Sequence, residues 1–214
     1  MMTLIGYLAH ALATLALAYA FLVLAGIMLM PGFAVEPVGC PESGDCYIVM
    51  GFGLGETPNG QKVAGKSNRD LARFLLDANV DAWPAVVQHG VWLALCELQQ
   101  EAPAYADRNL DWVVPLPHDS DFHVDTRTAA LQSLALLHYL GRASPILVAH
   151  PDQLKRVAFL LAHLPVEGAF IVPEMCPVRY DLESEQVWTR RRIIYCSFEL
   201  FVSRPRSILE AYLF

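Results

Sequence analysis

From Met1 to Met30 the chain carries no charged side chain, and its polar positions amount to Thr3, His10, Thr14 and the two tyrosines Tyr7 and Tyr19. A helix needs roughly 20 apolar residues to cross a bilayer's hydrocarbon core, and this run exceeds that. A cleavable leader shows a basic start, a shorter apolar stretch and a small-residue cleavage site. Here the run is followed instead by Pro31-Gly32-Phe33 behind the bulky Met30. The expectation is a single membrane-spanning anchor over 1–30, a linker over 31–45 and an α/β domain over 46–214.

Orientation is poorly encoded. The first Lys or Arg is Lys62, so neither flank of the anchor carries the positive charge that marks a cytoplasmic side. The net charge of −7 argues against nucleic acid as a partner, because neutralising phosphates requires a concentrated basic face. The one basic run, Arg190-Arg191-Arg192, reads as a solvated helix face, with lipid headgroups as the alternative contact. Of five cysteines, Cys40 and Cys46 flank Pro41 and Gly44, where a small disulfide loop suits an oxidising compartment. Cys96, Cys176 and Cys196 read as buried thiols. The cysteines tilt the soluble part slightly toward the periplasmic side of a bacterial inner membrane.

Short apolar runs alternate with helix-period segments beyond residue 46. Strands are expected at 47–50, 85–87, 112–114, 146–148 and 170–172, and helices at 68–78, 91–101, 126–140, 153–163 and 185–202. Ala130, Leu131, Leu134, Leu137 and Leu140 form the expected sheet-facing stripe of the helix after residue 126. Alternation of this kind predicts a three-layer, Rossmann-like domain with a mostly parallel sheet of about five strands. Ligands of such sheets bind beyond the carboxyl ends of the strands, so the chemistry belongs in the loops that follow them.

Four loops are candidates. Gly51-Phe52-Gly53-Leu54-Gly55 follows the first strand and permits close approach to the backbone, but its spacing is not that of a dinucleotide fingerprint. The string from Gly60 to Ser67 matches G-x-x-x-x-G-K-[ST]. That motif requires its first glycine to leave a strand directly, whereas roughly nine residues intervene after Met50; Ser67 can still cap the next helix. Asp119, Asp121, His123 and Asp125 alternate and could face one side if extended, as a metal site would require; the plainer reading is a solvated loop ending in Asp125 as an N-cap, and no metal is assigned. His150 follows the fourth strand, where it could act as an acid or base or simply be a hydrogen-bonded loop histidine.

Together these loops resemble the YdcF/SanA/ElyC-like family, also called domain of unknown function 218. The resemblance runs over roughly 47–204. It rests on the glycine loop after the first strand, Asn59-Gly60, Ser67 with Arg73 (or Arg69), and Gln88-His89-Gly90. It continues through Asp121, His123 and Asp125-Thr126-Arg127-Thr128-Ala129-Ala130 to Ala149-His150-Pro151-Asp152-Gln153-Leu154-Lys155-Arg156-Val157. It implies a role in the bacterial cell envelope and a pocket for a phosphorylated, nucleotide-like or lipid-linked ligand, possessed by a hydrolase or transferase of envelope precursors or by a non-catalytic binding or assembly module. A P-loop phosphotransferase acting through residues 60–67 is the lesser alternative. By resemblance, the pocket is lined by Gly51, Gly53, Gly55, Ser67, Arg73, Gly90, Asp125, Thr126, Arg127, His150, Gln153 and Arg156. S-adenosylmethionine enters as a cofactor only if the domain is cytosolic. Where the family carries Glu-Asn this chain has Thr128-Ala129, and Gln153 stands in place of the family's histidine. His150, His123 and Asp125 remain the catalytic candidates, and the expectation moves from catalysis toward binding.

Overall fold

The computed structural model describes residues 4–30, 44–57, 59, 61–79, 81–117, 125–163 and 178–213. Among them the chain forms one apolar helix and an α/β domain built on a parallel four-stranded sheet. Helix α1 spans Leu4–Leu29, and its stretch Tyr7–Leu29 is long and apolar enough to cross a membrane. The sheet comprises β1 (Cys46–Val49), β4 (Ala85–Val87), β5 (Val113–Pro115) and β6 (Pro145–Val148), in the order β5-β4-β1-β6. The expected strand over 170–172 lies outside the described residues. A two-stranded antiparallel hairpin, β2 (Gly55–Glu56) and β3 (Lys62–Val63), was not anticipated from sequence.

Burial on both faces explains why β1, β4 and β6 read as unbroken apolar runs. Tyr47, Val49, Val87 and Val148 face helices α2 (Lys66–Ala78) and α3 (His89–Glu101), packing on Leu71, Leu75, Val91 and Leu95. The alternate residues Ile48, Met50, Val86 and Leu147 face α4 (Thr126–Tyr139) and α5 (Pro151–Ala162). The buried stripe of α4 is rotated from the expected one. Ala129, Ala130, Ser133 and Leu137 are buried, while Leu131 and Leu140 are exposed. Ser133 tolerates burial because its hydroxyl donates to the Ala129 carbonyl, 2.8 Å away.

The expected final helix over 185–202 is also redrawn. A 3₁₀ turn (Val187–Thr189) precedes α6 (Arg192–Phe198), a π turn (Glu199–Ser203) and α7 (Arg204–Leu213). Pro205 has no N–H to offer the Phe201 carbonyl four residues back, and the π turn absorbs the mismatch instead of ending the helix. Cys46 is a free, buried thiol at the head of β1, and Cys40, its expected partner, lies outside the described residues. Burial, with Asp45 beside it, pushes this thiol well above its ordinary range. Cys96 and Cys196 are free and only part-buried, not the fully buried thiols expected, and Cys176 lies outside the described residues.

Candidate functional site

A cavity of about 400 Å³ opens at the carboxyl ends of β1, β4 and β5. Three helices aim their N-terminal turns at it: Gln88, His89 and Gly90 lead into α3, Asp125 and Thr126 into α4, and Gln153 lies in the first turn of α5. Each helix start carries partial positive charge, which favours an anionic or strongly polar group; the start of α3 has no side-chain cap, while Asp125 accepts the Thr128 N–H of α4 and His150 the Asp152 N–H of α5. Apolar lining comes from Leu54, which lies against Gly90, and from Trp188, Phe198 and Val202, whose segment also brings Ser203, Arg206 and Glu210 to the cavity.

The glycine loop is held by two side chains, Gln88 from the Gln88-His89-Gly90 match and Asn68, which sequence reading did not single out. The Gly51 N–H donates to Gln88 Oε1 at 2.7 Å, the Phe52 N–H to Asn68 Oδ1 at 2.8 Å, and Asn68 Nδ2 returns a bond to the Gly53 carbonyl. These backbone donors are therefore spent within the protein. The glycines serve packing: a Cβ on Gly90 would stand 2.6 Å from Asn68 Nδ2, and Gly53 combines φ +71° with hydroxyls of Ser184 and Thr189 at 2.6 Å. A polar residue in the first turn of a helix that faces a glycine loop was the available signal for Asn68.

Gly51, Gly53, Gly90, Asp125, Thr126, Gln153 and Arg156 line the cavity. Gly55, Ser67, Arg73, Arg127 and His150 do not. Gly55 sits in the β2–β3 hairpin. Ser67 is buried and donates to the Arg179 carbonyl, while Gly65 holds the N-cap position of α2 that Ser67 was expected to fill. Arg73 reaches Asp70 at 3.4 Å on the outer side of α2. His123 lies outside the described residues, as do Asp119 and Asp121; among the described residues no cluster of potential metal ligands occurs.

His150 turns inward. Its ring stacks on Phe52 with centroids 3.9 Å apart, its edge meets Tyr180, and Nδ1 accepts the Asp152 N–H at 3.2 Å, capping α5. Burial holds its pKa down at about 4, so it is neutral at pH 7. One ring nitrogen is thus hydrogen-bonded, Nε2 has no protein partner among the described residues, and the ring does not line the cavity.

Around residues 60–67 the geometry is not that of a phosphate loop. A hairpin separates β1 from α2, and the start of α2 is already occupied by a carboxylate: the Lys66 N–H donates to Asp181 Oδ2 at 2.8 Å. Asp181 is buried and belongs to a strap that crosses the glycine loop, where the Glu185 N–H donates to the Leu54 carbonyl at 2.7 Å. The strap is clamped by Arg179 on Asp70 at 2.8 and 2.9 Å and, through Tyr180, by Asp152 at 2.7 Å.

Comparison with family models, curated proteins and solved structures gives no match.

A buried ionic cluster reaches the cavity through Arg156 and Tyr195. Arg156 Nε donates to Glu199 at 2.9 and 3.1 Å, and its Nη1 donates to Thr126 Oγ1 at 2.7 Å on the cavity wall. Tyr195 donates to Glu199 at 3.1 Å, and Arg204 stands 3.9 Å from the same carboxylate. Glu199 is wholly buried. Burial works against the Arg156 charge, but Glu199 outweighs it and keeps the guanidinium firmly protonated. Gln153 differs from these groups: it is 7% exposed, and its carboxamide oxygen has no protein partner among the described residues. A buried acceptor of this kind in a cavity wall is poised for a ligand's donor.

Proposed function

We propose that this chain is a membrane-anchored binding protein of the bacterial cell envelope, whose cavity takes an amphiphile with a phosphate or similarly anionic head. The observation that carries this reading is the convergence of three helix N-termini on a cavity that also has apolar lining from Trp188, Phe198 and Val202. Its size falls in the range of small-molecule sites. The head lies by Gly90, Thr126 and Gln153, with a protonated or hydroxyl oxygen donating to the Gln153 carboxamide. The tail lies along Trp188, Phe198 and Val202. The apolar α1 supports the anchor, with a lipid bilayer as partner through residues 1–30.

The likeness to the YdcF/SanA/ElyC-like family supports the same class of ligand. The order β5-β4-β1-β6 supports a Rossmann-like reading, since it matches the first four strands of that arrangement and sets the cavity near the point where strand order reverses. Binding is preferred to hydrolysis or group transfer because His150 is enclosed by Phe52 and Tyr180, and Asp125, the other catalytic candidate among the described residues, caps α4 and pairs with Arg206. S-adenosylmethionine and a P-loop nucleotide draw no comparable support.

Thermal unfolding of the detergent-solubilised full chain tests this reading. Dodecyl phosphate should raise the midpoint, and Gln153→Ala should abolish the rise; an equal response in wild type and variant rejects the assignment of this cavity.

A further inference from the structure

The last half of α1 is both apolar and docked. Phe21, Leu24, Ile27, Met28 and Leu29 remain 44 to 72% exposed on one side of the helix. On the other side the same stretch packs against the π turn and α7. The Tyr19 hydroxyl donates to the Phe201 carbonyl. A Cβ built on Gly26 would lie 3.1 Å from Arg204 Cβ, which records how closely the two helices cross. Met30 is buried, and its carbonyl receives the Arg204 guanidinium at the end of α1.

From Tyr19 to Met30 the helix rises about 17 Å at 1.5 Å per residue, whereas half a hydrocarbon core is about 15 Å. A lipid boundary at Tyr19 would leave five large apolar side chains in water. A boundary near Met30 covers them and carries the π turn to the same depth. Phe201 and Val202 on that turn are 53 and 46% exposed, as a lipid-facing surface would be.

We propose that the π turn, together with the second half of α1, is embedded in one leaflet of the bilayer, so that the cavity opens on that side toward the acyl chains. This rests on α1 being a membrane span. The rim connection follows from residues shared between the two surfaces: Phe198, Val202 and Ser203 line the cavity and flank or belong to the embedded turn. An amphiphile can then present its head to the cavity while its chain stays in the leaflet.

Site-specific photo-crosslinking of the full chain in phospholipid vesicles tests the proposal. The benzophenone amino acid p-benzoylphenylalanine is placed at Phe21, at Phe201 or at Tyr139, all exposed, so packing is preserved. Tyr139 ends α4 ahead of β6, at the amino end of the sheet away from the cavity. Phospholipid adducts, read by mass, are expected at Phe21 and Phe201 and at background level at Tyr139. Adducts at Phe21 without Phe201 overturn the embedding and leave the span intact. No adduct at either position removes the span and the proposal with it, and equal labelling at all three overturns the proposal as non-specific.

Discussion

Tyr19 donates its hydroxyl proton to the Phe201 carbonyl, the group whose α-helical partner would have been the N–H that Pro205 lacks. One bond thus ties the apolar helix to the irregular turn beside the cavity. Tyr19→Phe should cost about 1 kcal/mol, and in Pro205→Ala, where a regular ladder can re-form, the same substitution should cost less. A double-mutant cycle on unfolding of the full chain in detergent measures the coupling; strict additivity would show that the hydroxyl and the proline act independently.

The buried cluster around Glu199 makes a larger prediction. Glu199→Ala leaves the Arg156 and Arg204 guanidinium groups without their shared carboxylate and should destabilise by roughly 3–5 kcal/mol. Chemical denaturation of wild type and variant checks this. A change below about 1 kcal/mol would mean that water reaches the cluster.

His150 makes stability depend on pH. Its pKa falls from 6.5 to about 4 on folding, so below 6.5 the unfolded chain binds the extra proton. The stabilisation from keeping the ring neutral is complete above pH 6.5 and is lost as pH falls toward 4. That loss is on the order of 3 kcal/mol at most. His150→Phe should flatten the stability profile across this window relative to wild type; parallel profiles would show that the ring protonates freely in the fold.

Asp181, rather than a phosphate, satisfies the start of α2. Asp181→Ala should cost about 1–2 kcal/mol, as lost helix caps do. Lys66→Ala, an exposed partner in a surface pair, should change stability by no more than about 0.5 kcal/mol. Magnesium and ATP should leave the melting midpoint of the wild-type chain unchanged, and a rise that Lys66→Ala removed would establish a nucleotide site at residues 60–67.

Sequence was most informative where one physical demand dominates. β1, β4 and β6 are buried on both faces, and their apolar runs admit few alternatives. The helix after Asp125 was legible from its cap, which accepts the Thr128 N–H at 2.8 Å. Its buried face was not, because Ser133 hides its polarity in a bond to its own helix. The glycines marked the right loop for an incomplete reason: Asn68 and Gln88, which use up its N–H groups, lie 16 and 37 residues away along the chain. His150 stood at the expected strand end, but which way its ring turned depended on Phe52 and Tyr180, contacts that no local pattern encodes. The expected end of the last helix at 202 missed its continuation past Pro205, which the π turn makes possible.

The proposed binding of one anionic amphiphile in this cavity is open to native mass spectrometry of the full chain released from detergent, with dodecyl phosphate added. A single adduct is expected on the wild-type chain and is lost in Gln153→Ala and in Val202→Trp, which fills the apolar side. The absence of a wild-type adduct, or equal adducts on all three proteins, would contradict it.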